Sequence, residues 1–431
     1  MLLTRSCLRN GLEEVSIASS ALIAGLSAES HKVFRDGGRR AVTPEQTIAR
    51  ISPFLGQIGV TRVANITGLD RIGIPVVAVC RPNSRSLAVY QGKGATLAAA
   101  RASGLMESLE RYHAEFARVP ELVASYESIR KSASAVDVKK LPKREGSTFH
   151  ADLRRGWIQG INLLDRMPVW VPHEIVHYAT AGEFGEDRYF QTSSTGLAAG
   201  NSYSEAVLHG MCEAIERDCS TLWRLRNPAV QQLSRIDLAS VSDPRCLTLI
   251  EKLKAAGLGV AAWETTTEIG VASFVCRIAE PESSGPSPYE FTDAAGCHPS
   301  KEVALARAIL EAAQGRATAI SGARDDLFDD YYEPVGRALA EKLHNDLLSG
   351  QCFRSFQHTP SFDGDIIESD VSYVLGKLAA AGIQDVVAVC LTRSDFRIPV
   401  VRIIIPELED GELNDCYSPR GRAIRAYRGR S

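Results

Sequence analysis

Residues 243–281 read DPRCLTLIEKLKAAGLGVAAWETTTEIGVASFVCRIAEP, an amphipathic helix that ends near Gly257 and is followed by two apolar strands joined by a turn. The same order of helix, strand, turn and strand occurs at 44–82 and again at 370–408. Their helices are predicted to end near Gly59 and Gly382, because glycine readily adopts the left-handed conformation that often ends a helix. The chain is therefore predicted to be α+β and to repeat one helix and β-hairpin unit.

A fourth hairpin, without a leading helix, is expected at 156–176. Three of the four hairpins, at 44–82, 156–176 and 243–281, are each followed by a glycine-containing loop and a long alanine-rich helix. The loops are QGKG at 91–94, STGLAAGN at 194–201 and AAGCHP at 294–299. The helices contain ESLER from Glu107, EAIER from Glu213 and EAAQGR from Glu311. At 431 residues the chain exceeds the usual size of one core, and this regular recurrence favours a single composite domain built by internal duplication.

Polar residues recur on one face of each long helix. They are Ser103, Glu107 and Glu110 on the first helix, Asn201, Glu205, Glu213 and Glu216 on the second, and Arg307, Glu311 and Gln314 on the third. Apolar residues surround them, which indicates that the helices are largely buried. A buried carboxylate without a partner is costly, so these glutamates need counter-charges.

Magnesium is the cation that this pattern favours. If the three faces converge, carboxylates about 4 Å apart repel by about 4 kcal/mol at an effective dielectric of 20. A site of oxygen ligands without Cys or His is typical of Mg²⁺, which bridges to substrate phosphates. The glycine loops offer backbone N–H groups to those phosphates, and Arg217 and Arg307 offer positive charge. The alternative is that Glu-x-x-Glu-Arg is a solvated helix motif with internal salt bridges, which three matched copies disfavour.

The chain lacks the common nucleotide-binding loops. Gly92-Lys93-Gly94 is followed by Ala95 and has no upstream glycine at the Walker spacing, and no GxGxxG follows a strand. Nucleotide binding must therefore use another architecture.

Three motifs give the chain a close resemblance to a known family. They are SGLMESLER at 103–111, STGLAAGNSYSEAVLHGMCEAIERD at 194–218 and LARAILEAAQGRATAISGARDD at 305–326. From about Lys32 to Pro406 the sequence resembles the YcaO family, which implies a YcaO-type fold with ATP and Mg²⁺ as cofactors. The resemblance implies that magnesium is held by Glu110, Glu213, Glu216 and Glu311. It implies a nucleotide site that includes Lys32, Ser103, Glu107, Asn201, Ser202, Glu205, Arg217, Arg307 and Gln314.

The chemistry implied by this resemblance is activation of a peptide amide. The γ-phosphate of ATP passes to the amide oxygen as a nucleophile attacks the carbonyl carbon, and phosphate then leaves. A Cys, Ser or Thr side chain as nucleophile gives azolines, sulfide gives thioamides, and an amine gives amidines. No residue of the sequence identifies a catalytic base.

The end of the chain favours one product. Azoline-forming members usually end in a PxPxP tail, whereas this chain ends RAIRAYRGRS with no proline after Pro419. That favours the branch similar to proteins encoded beside TfuA, with thioamide formation and a TfuA-like partner protein. An azoline-forming cyclodehydratase and a non-catalytic ATP- or peptide-binding scaffold remain alternatives.

Two further alternatives come from other enzyme classes. Residues 173–177, HEIVH, match the HExxH motif of zinc proteases, but Pro172 and the β-rich MPVWVP precede them and no HxxGxxH extension follows. A strand end or loop with surface or partly buried histidines is expected there instead. A glycosidase would need one isolated carboxylate pair, and 7% aromatic residues leave little for sugar stacking.

Composition narrows the remaining questions. A net charge of -3 gives no bias toward nucleic acid, and 14 residues at 15–28 are too few to span a membrane. Ten cysteines without a Cys-x-x-Cys pair indicate reduced thiols in a cytoplasmic protein.

We expect a poorly ordered extension at 1–30, the YcaO domain at 31–410 and a solvated basic tail at 411–431. The resemblance also suggests a homodimer that acts on a peptide or protein substrate.

Overall fold

The structure is a computed structural model, and it describes residues 16–117, 119–178, 189–280, 291–324, 326–327, 342, 345–411 and 417–428. The chain divides into two compact units. Unit 1 comprises Met1–Ser30, Glu110–Asp218 and Ile366–Ser431. Unit 2 comprises His31–Leu109 and Cys219–Asp365.

The helices and strands of the described residues alternate along the chain. The helices are α1 (Ile17–Leu26), α2 (Pro44–Ile51), α3 (Leu97–Glu115), α4 (Tyr126–Arg130), α5 (His173–Val176), α6 (Tyr203–Arg224), α7 (Pro228–Gln232), α8 (Pro244–Ala255), α9 (Lys301–Ser321), α10 (Ile367–Ala380) and α11 (Gly421–Arg428). The strands are β1 (Arg62–Asn65), β2 (Val76–Cys80), β3 (Val89–Lys93), β4 (Leu122–Ser125), β5 (Arg154–Asn162), β6 (Pro168–Pro172), β7 (Leu197–Ala199), β8 (Ile236–Asp237), β9 (Gly259–Glu264), β10 (Ser273–Ala279), β11 (Phe291–Cys297), β12 (Arg354–Ser355), β13 (Val387–Cys390) and β14 (Val400–Ile404).

Unit 2 contains two copies of the repeated motif. In the first copy, α2 precedes the antiparallel sheet β1-β2-β3, and in the second, α8 precedes β9-β10-β11. The predicted glycine helix ends are confirmed for Gly257 and Gly382, which have φ of 74° and 82° and lie two residues after the ends of α8 and α10, whereas Gly59, with φ of 80°, lies eight residues after α2 ends at Ile51. The α+β repeat inferred from the sequence is therefore present in the fold.

Unit 1 contains a six-stranded sheet in the order β4-β5-β13-β14-β7, with β6 also paired to β5. The two predicted hairpins of this unit, at 156–176 and 370–408, are both found in it as β5–β6 and β13–β14. The loop at 194–201 follows the hairpin at 156–176 in the sequence. However, β7 pairs with β14, where Ala199 lies opposite Val400. In this unit the third strand beside the β13–β14 hairpin is therefore β7, which precedes that hairpin in the sequence instead of following it.

A helix packs against the last strand of the second repeat because both surfaces carry small side chains. A Cβ atom added at Gly296 on β11 would lie 2.3 Å from the carbonyl oxygen of Ala304 on α9. Ala304, Ala308 and Ala312 of α9 are fully buried. This close approach fixes the face of α9 that turns away from the sheet, and with it the directions of its polar side chains.

The chain ends described by the structure are more ordered than the sequence suggested. Leu22 of α1 is fully buried, and the Ser16 N–H donates to Gln159 Oε1 at 2.7 Å, because α1 presents an apolar surface to unit 1. Residues 1–15 lie outside the described residues. At the other end, Arg422 of α11 is buried and donates to Asp218 Oδ1 at 2.8 Å. Arg422 is therefore not solvated as the predicted basic tail would be.

Two features bear on the class of protein. None of the helices within the described residues is long and apolar enough to cross a membrane. The cysteines described by the structure carry free thiols, as the sequence predicted for this chain.

Candidate functional site

The loop at 194–201 binds three of the predicted glutamates through its backbone. The Gly196 N–H donates to Glu213 Oε2 at 3.1 Å, and the Ala199 N–H donates to Glu110 Oε1 at 2.7 Å. The Asn201 N–H and side-chain amide donate to Glu205 Oε2 at 2.9 and 3.1 Å. Unit 1 therefore holds carboxylates from α3 and α6 along one short segment of chain.

Glycine is required at the start of this segment. Gly196 has φ of 80°, and a Cβ atom there would lie 2.2 Å from the carbonyl oxygen of Ile403 on β14. The Ile403 N–H donates back to the Gly196 carbonyl at 2.7 Å. The loop is thus fixed by the sheet of unit 1, and it fixes Glu213 in turn.

Glu213 and Glu216 form a pair of neighbouring carboxylates on α6. Burial raises the pKa of Glu213, the charge of Glu216 raises it further, and Arg217 and Arg111 oppose the rise. The Arg217 guanidinium lies 3.9 Å from Glu213. This is the internal salt bridge that a solvated Glu-x-x-Glu-Arg motif would also contain. The pKa of Glu213 nevertheless remains raised. These two carboxylates attract a further cation.

Glu110 and Glu205 are the most buried of the predicted glutamates, with 9% and 2% of their surface exposed. Ser202 accepts a hydrogen bond at its Oγ from the Glu205 N–H at 3.2 Å, which caps the start of α6. The predicted residues Asn201, Ser202 and Glu205 are therefore brought together at this helix start.

In unit 2 the predicted residues of α9 are held differently. The Arg307 Nη1 donates to the Cys297 carbonyl at 3.1 Å, next to the loop that precedes α9. Glu311 forms an ion pair with Lys93 of β3. The buried Oε1 of Gln314 has no hydrogen-bond partner among the described residues. Ser103 and Glu107, on the part of α3 that belongs to this unit, are half-buried.

A cluster of positive charge surrounds His298 in unit 2. Lys32, whose side chain is fully buried, donates to Asp363 Oδ1 at 2.8 Å, and Arg39 donates to Asp363 Oδ2 at 2.8 Å. Burial first, and then the charges of Arg307 and Lys32, lower the pKa of His298 well below its usual value. The neutral imidazole accepts the Ser300 N–H at Nδ1 at 3.0 Å. The structure thus brings Lys32 and Arg307 into one electrostatic environment.

Comparison with known proteins decides the family. Residues 91–409 match the sequence model described as YcaO cyclodehydratase, ATP- and Mg²⁺-binding. The chain belongs to the YcaO family. A relative encoded in the tfuA 3′ region of Rhizobium leguminosarum bv. trifolii is 36% identical over 417 residues, covering 94% of this chain and 97% of the relative.

Solved structures agree in fold. The YcaO protein of Methanopyrus kandleri, bound with AMPPCP and Mg²⁺, superposes with a TM-score of 0.71 at 22% identity, covering 91% of this chain and 99% of that one. A heterocyclase in complex with substrate and cofactor gives 0.69 at 22% identity, covering 93% and 55%. These TM-scores establish a common fold, and the predicted YcaO-type α+β fold is confirmed.

The cofactors predicted for this YcaO protein, ATP and Mg²⁺, are confirmed at the level of the family. The donor chemistry of unit 1 fits magnesium, because Glu213 and Glu216 offer hard oxygen ligands whose mutual repulsion a cation relieves. Within the described residues, no group of three or more His, Cys, Asp or Glu side chains is arranged to hold a metal ion. The roles of the individual glutamates therefore remain predictions.

The HExxH motif has a different environment from that of a zinc site. His173 and Glu174 lie in α5, a single turn that follows β6, so the expectation of a strand end is close to the structure. The histidines are buried, at 6% exposure each, rather than on the surface. Glu174 forms an ion pair with Arg155 at 2.9 Å and accepts the Tyr189 N–H at 3.2 Å.

Sequence reasoning missed several residues of this region. Lys93 was included in the segment QGKG, but it was not predicted as a partner of Glu311; it is the last residue of β3. Asp363, Arg39 and His298 were not predicted at all, and the sequence holds no local signal for them because Asp363 is separated from Arg39 by more than 300 residues.

Proposed function

We propose that this YcaO protein uses ATP and Mg²⁺ to activate a backbone amide of a peptide or protein, and that it forms a thioamide with a TfuA-like partner. The anchoring of Glu110, Glu205 and Glu213 by the loop at 194–201 carries the proposal, because it assembles carboxylates on the motif shared with the family. The encoding of a 36% identical, full-length relative in a tfuA region favours the thioamide.

The glutamates proposed to hold magnesium are Glu110, Glu213, Glu216 and Glu311. Bound Mg²⁺ supplies neutralisation of phosphate charge. The protein's own contribution is to keep these carboxylates oriented. Two of them accept loop N–H groups, which are neutral donors and leave the negative charge of the carboxylates in place.

The nucleotide is proposed to bind through polar residues of the helix faces and loops and through the cationic cluster of unit 2. Lys32 and Arg307 offer positive charge beside His298, which stays neutral because it is buried among cations. The other residues proposed to bind the nucleotide are Ser103, Glu107, Asn201, Ser202, Glu205, Arg217 and Gln314.

The proposed reaction balances as follows. Hydrosulfide attacks the amide carbonyl carbon and forms a C–S bond, while the carbonyl oxygen takes the γ-phosphoryl group and releases ADP. The C–O bond then breaks, phosphate leaves with the former amide oxygen, and the proton from sulfur passes to phosphate. The amide oxygen is a poor leaving group until it is phosphorylated, which is why ATP is consumed.

Azoline formation is the second candidate, and the description of the family as cyclodehydratases favours it. In that case a Cys, Ser or Thr side chain of the substrate replaces hydrosulfide as nucleophile. The activation step is the same, so the two candidates differ in the product and in the need for sulfide. We further propose that the working form is a homodimer.

The function is tested first in a host cell that carries the gene. The gene is deleted, and the deletion is complemented with the wild type or with the Glu213→Gln/Glu216→Gln variant. Mass spectrometry of the proteome then searches for peptides that depend on the wild-type gene. Replacement of an amide oxygen by sulfur supports the thioamide, and loss of water supports the azoline. A proteome unchanged by the deletion contradicts both.

The mechanism is tested on the peptide so identified. Its amide oxygen is labelled with ¹⁸O, and the peptide is incubated with the protein, the TfuA-like partner, ATP, Mg²⁺ and sulfide. Transfer of the label to inorganic phosphate is expected, because phosphorylation of the amide oxygen precedes C–O cleavage. Label released into water instead would show that ATP hydrolysis and amide chemistry are separate.

A further inference from the structure

A cavity of about 80 Å³ in unit 1 has no role in the chemistry described above. A buried water needs roughly 10 to 15 Å³ by the same kind of measure, so the cavity has room for several atoms. Much of its wall is apolar and includes Ile404 and Leu408, while Ser193, Thr195 and Arg402 add polar groups. It is therefore large enough for a small polar molecule.

Arg402 is the unusual member of this wall. It lies in the middle of β14, between the buried residues Val401 and Ile403, and only 5% of its surface is exposed. Its Nη2 donates to the Ser193 carbonyl at 2.6 Å. Among the described residues, Nε and Nη1 have no hydrogen-bond partner and the guanidinium forms no ion pair. A buried cation without a counter-ion is costly, which points to an anion that the protein binds.

The other charged groups of the cavity are already engaged. Asp410 accepts the Ser193 hydroxyl at 2.7 Å. Glu409 accepts the Tyr417 hydroxyl at 2.8 Å, as well as backbone N–H groups of α11. Arg420 donates to the carbonyls of Lys140 and Pro406, at 2.5 and 3.2 Å. Within the part of the chain that the structure describes, the cavity thus has one cation, Arg402, with two buried N–H-bearing nitrogens that no carboxylate of the wall contacts.

Thr195 provides a second donor at the same place. Its buried hydroxyl has no hydrogen-bond partner among the described residues. Thr195 precedes Gly196, whose N–H holds Glu213, so the cavity adjoins a proposed magnesium ligand. Burial lowers the pKa of Arg402 to about 10, and the charges of Glu213 and Asp410 counteract this, so the side chain stays positively charged at neutral pH.

We propose that this cavity binds a small monovalent anion, with the Arg402 guanidinium as its counter-ion and the Thr195 hydroxyl as a second donor. A single charge is favoured because two carboxylates, Glu409 and Asp410, also line the cavity and repel a divalent anion. Hydrosulfide and a carboxylate group of the substrate are the two sources of such an anion. The choice of hydrosulfide as the natural anion rests on the proposed function, whereas anion binding itself does not.

The test measures anion binding by isothermal titration calorimetry on the full chain, without ATP or Mg²⁺ and at constant ionic strength. The probes are sodium hydrosulfide under anaerobic conditions, sodium acetate and sodium phosphate. The wild type is compared with Arg402→Gln and with the matched control Arg354→Gln, whose guanidinium pairs with Glu264 in unit 2. The wild type and the control are expected to bind a monovalent anion saturably, and Arg402→Gln at least tenfold more weakly.

The outcomes distinguish the two sources of the anion, and they include results that would overturn the proposal. Tighter binding of hydrosulfide than acetate identifies a sulfur nucleophile, and the reverse identifies a substrate carboxylate; both support the site. No saturable binding to the wild type, binding to phosphate alone, or equal binding to folded Arg402→Gln overturns it. Should Arg402→Gln not fold, Thr195→Val decides, since an unchanged dissociation constant in that variant overturns the proposal. Because no ATP is present, this binding test stays valid even if the protein does not catalyse the proposed reaction.

Discussion

The two units hold the glutamates of the candidate site in opposite ways. In unit 1, Glu110 and Glu213 accept hydrogen bonds from backbone N–H groups of one loop. In unit 2, Glu311 forms an ion pair with Lys93. Neutral donors orient a carboxylate and leave its charge available, whereas an ammonium group neutralises it. If these glutamates hold magnesium as proposed, the metal ion would meet carboxylates held by backbone donors in unit 1, with Arg217 3.9 Å from Glu213, and it would compete with Lys93 for Glu311 in unit 2.

The same contrast extends to the neighbouring charges. The pKa of Glu213 is raised, because it is buried beside Glu216. The pKa of Asp363 is lowered, because hydrogen bonds and charges from Arg39 and Lys32 outweigh the effect of burial. Burial and a neighbouring carboxylate thus dominate at Glu213 in unit 1, whereas cations dominate at Asp363 in unit 2. Four experiments test this difference.

The largest effect is expected from Glu213→Gln. Removing this charge is expected to weaken magnesium-dependent ATP binding by about 100-fold or more, since a carboxylate–cation contact is worth about 4 kcal/mol at 4 Å and an effective dielectric of 20. Calorimetric titration of ATP with and without Mg²⁺ measures it. Glu251→Gln, on the exposed face of α8, is the control. Unchanged binding in Glu213→Gln would remove this residue from the site.

Asp363→Asn is expected to destabilise the protein by about 3 kcal/mol, because it leaves the buried Lys32 and Arg39 without their shared counter-ion. Urea unfolding in the absence of ATP measures this loss. The control is Asp395→Asn, whose ion pair with Arg393 is exposed and is worth under about 1 kcal/mol. Equal effects of the two substitutions would show that Asp363 is not an important counter-ion of Lys32 and Arg39.

The pH dependence of stability is expected to show the raised pKa of Glu213. A carboxyl group with a raised folded-state pKa binds its proton more tightly in the native protein than in the unfolded chain. Without Mg²⁺, stability therefore falls as the pH rises from the usual glutamate range through the raised pKa, by at most about 1.4 kcal/mol per pH unit.

This slope is measured by thermal unfolding at a series of pH values in wild type and Glu213→Gln. The variant cannot ionise at this position, so the fall is expected to be smaller in it. Identical slopes in the two proteins would show that Glu213 has an ordinary pKa.

The smallest effect is expected from Lys93→Met. Its ion pair with Glu311 is partly exposed, so its loss costs about 0.2 to 1 kcal/mol in the absence of Mg²⁺. Since Glu311 is then free of its lysine, added Mg²⁺ should raise the unfolding temperature more than in the wild type. Lys254→Met on α8 is the control. A Mg²⁺ effect that is the same in all three proteins would mean that Lys93 does not compete with the metal.

The sequence predicted those parts of the molecule that depend on local pattern. The helix at 203–224 with Glu205, Glu213 and Glu216, the hairpins and the glycine helix ends are all recorded within short stretches of chain. Periodicity and turn chemistry act over such distances, and they are therefore readable. The family resemblance adds the cofactors in the same way, through contiguous motifs.

The rest depends on contacts between distant parts of the chain. The pairing of β7 with β14 and the contact of Asp363 with Lys32 and Arg39 join residues that no periodicity relates. The same is true of Arg402, which the sequence shows only as one charge within VVRII. Nor did composition reveal that Asp218 binds the basic tail, since Asp218 lies about 200 residues from Arg422 in the sequence.

The pairing of β7 with β14 also sets an order of events during synthesis. The loop that orients Glu110 and Glu213 is fixed by a strand made about 200 residues later, and a ribosome adds roughly 5 to 20 residues per second. For roughly 10 to 40 seconds the nascent chain carries this loop without its supporting strand. A ribosome stalled before residue 400 therefore displays a chain in which the loop that orients Glu110 and Glu213 lacks its supporting strand.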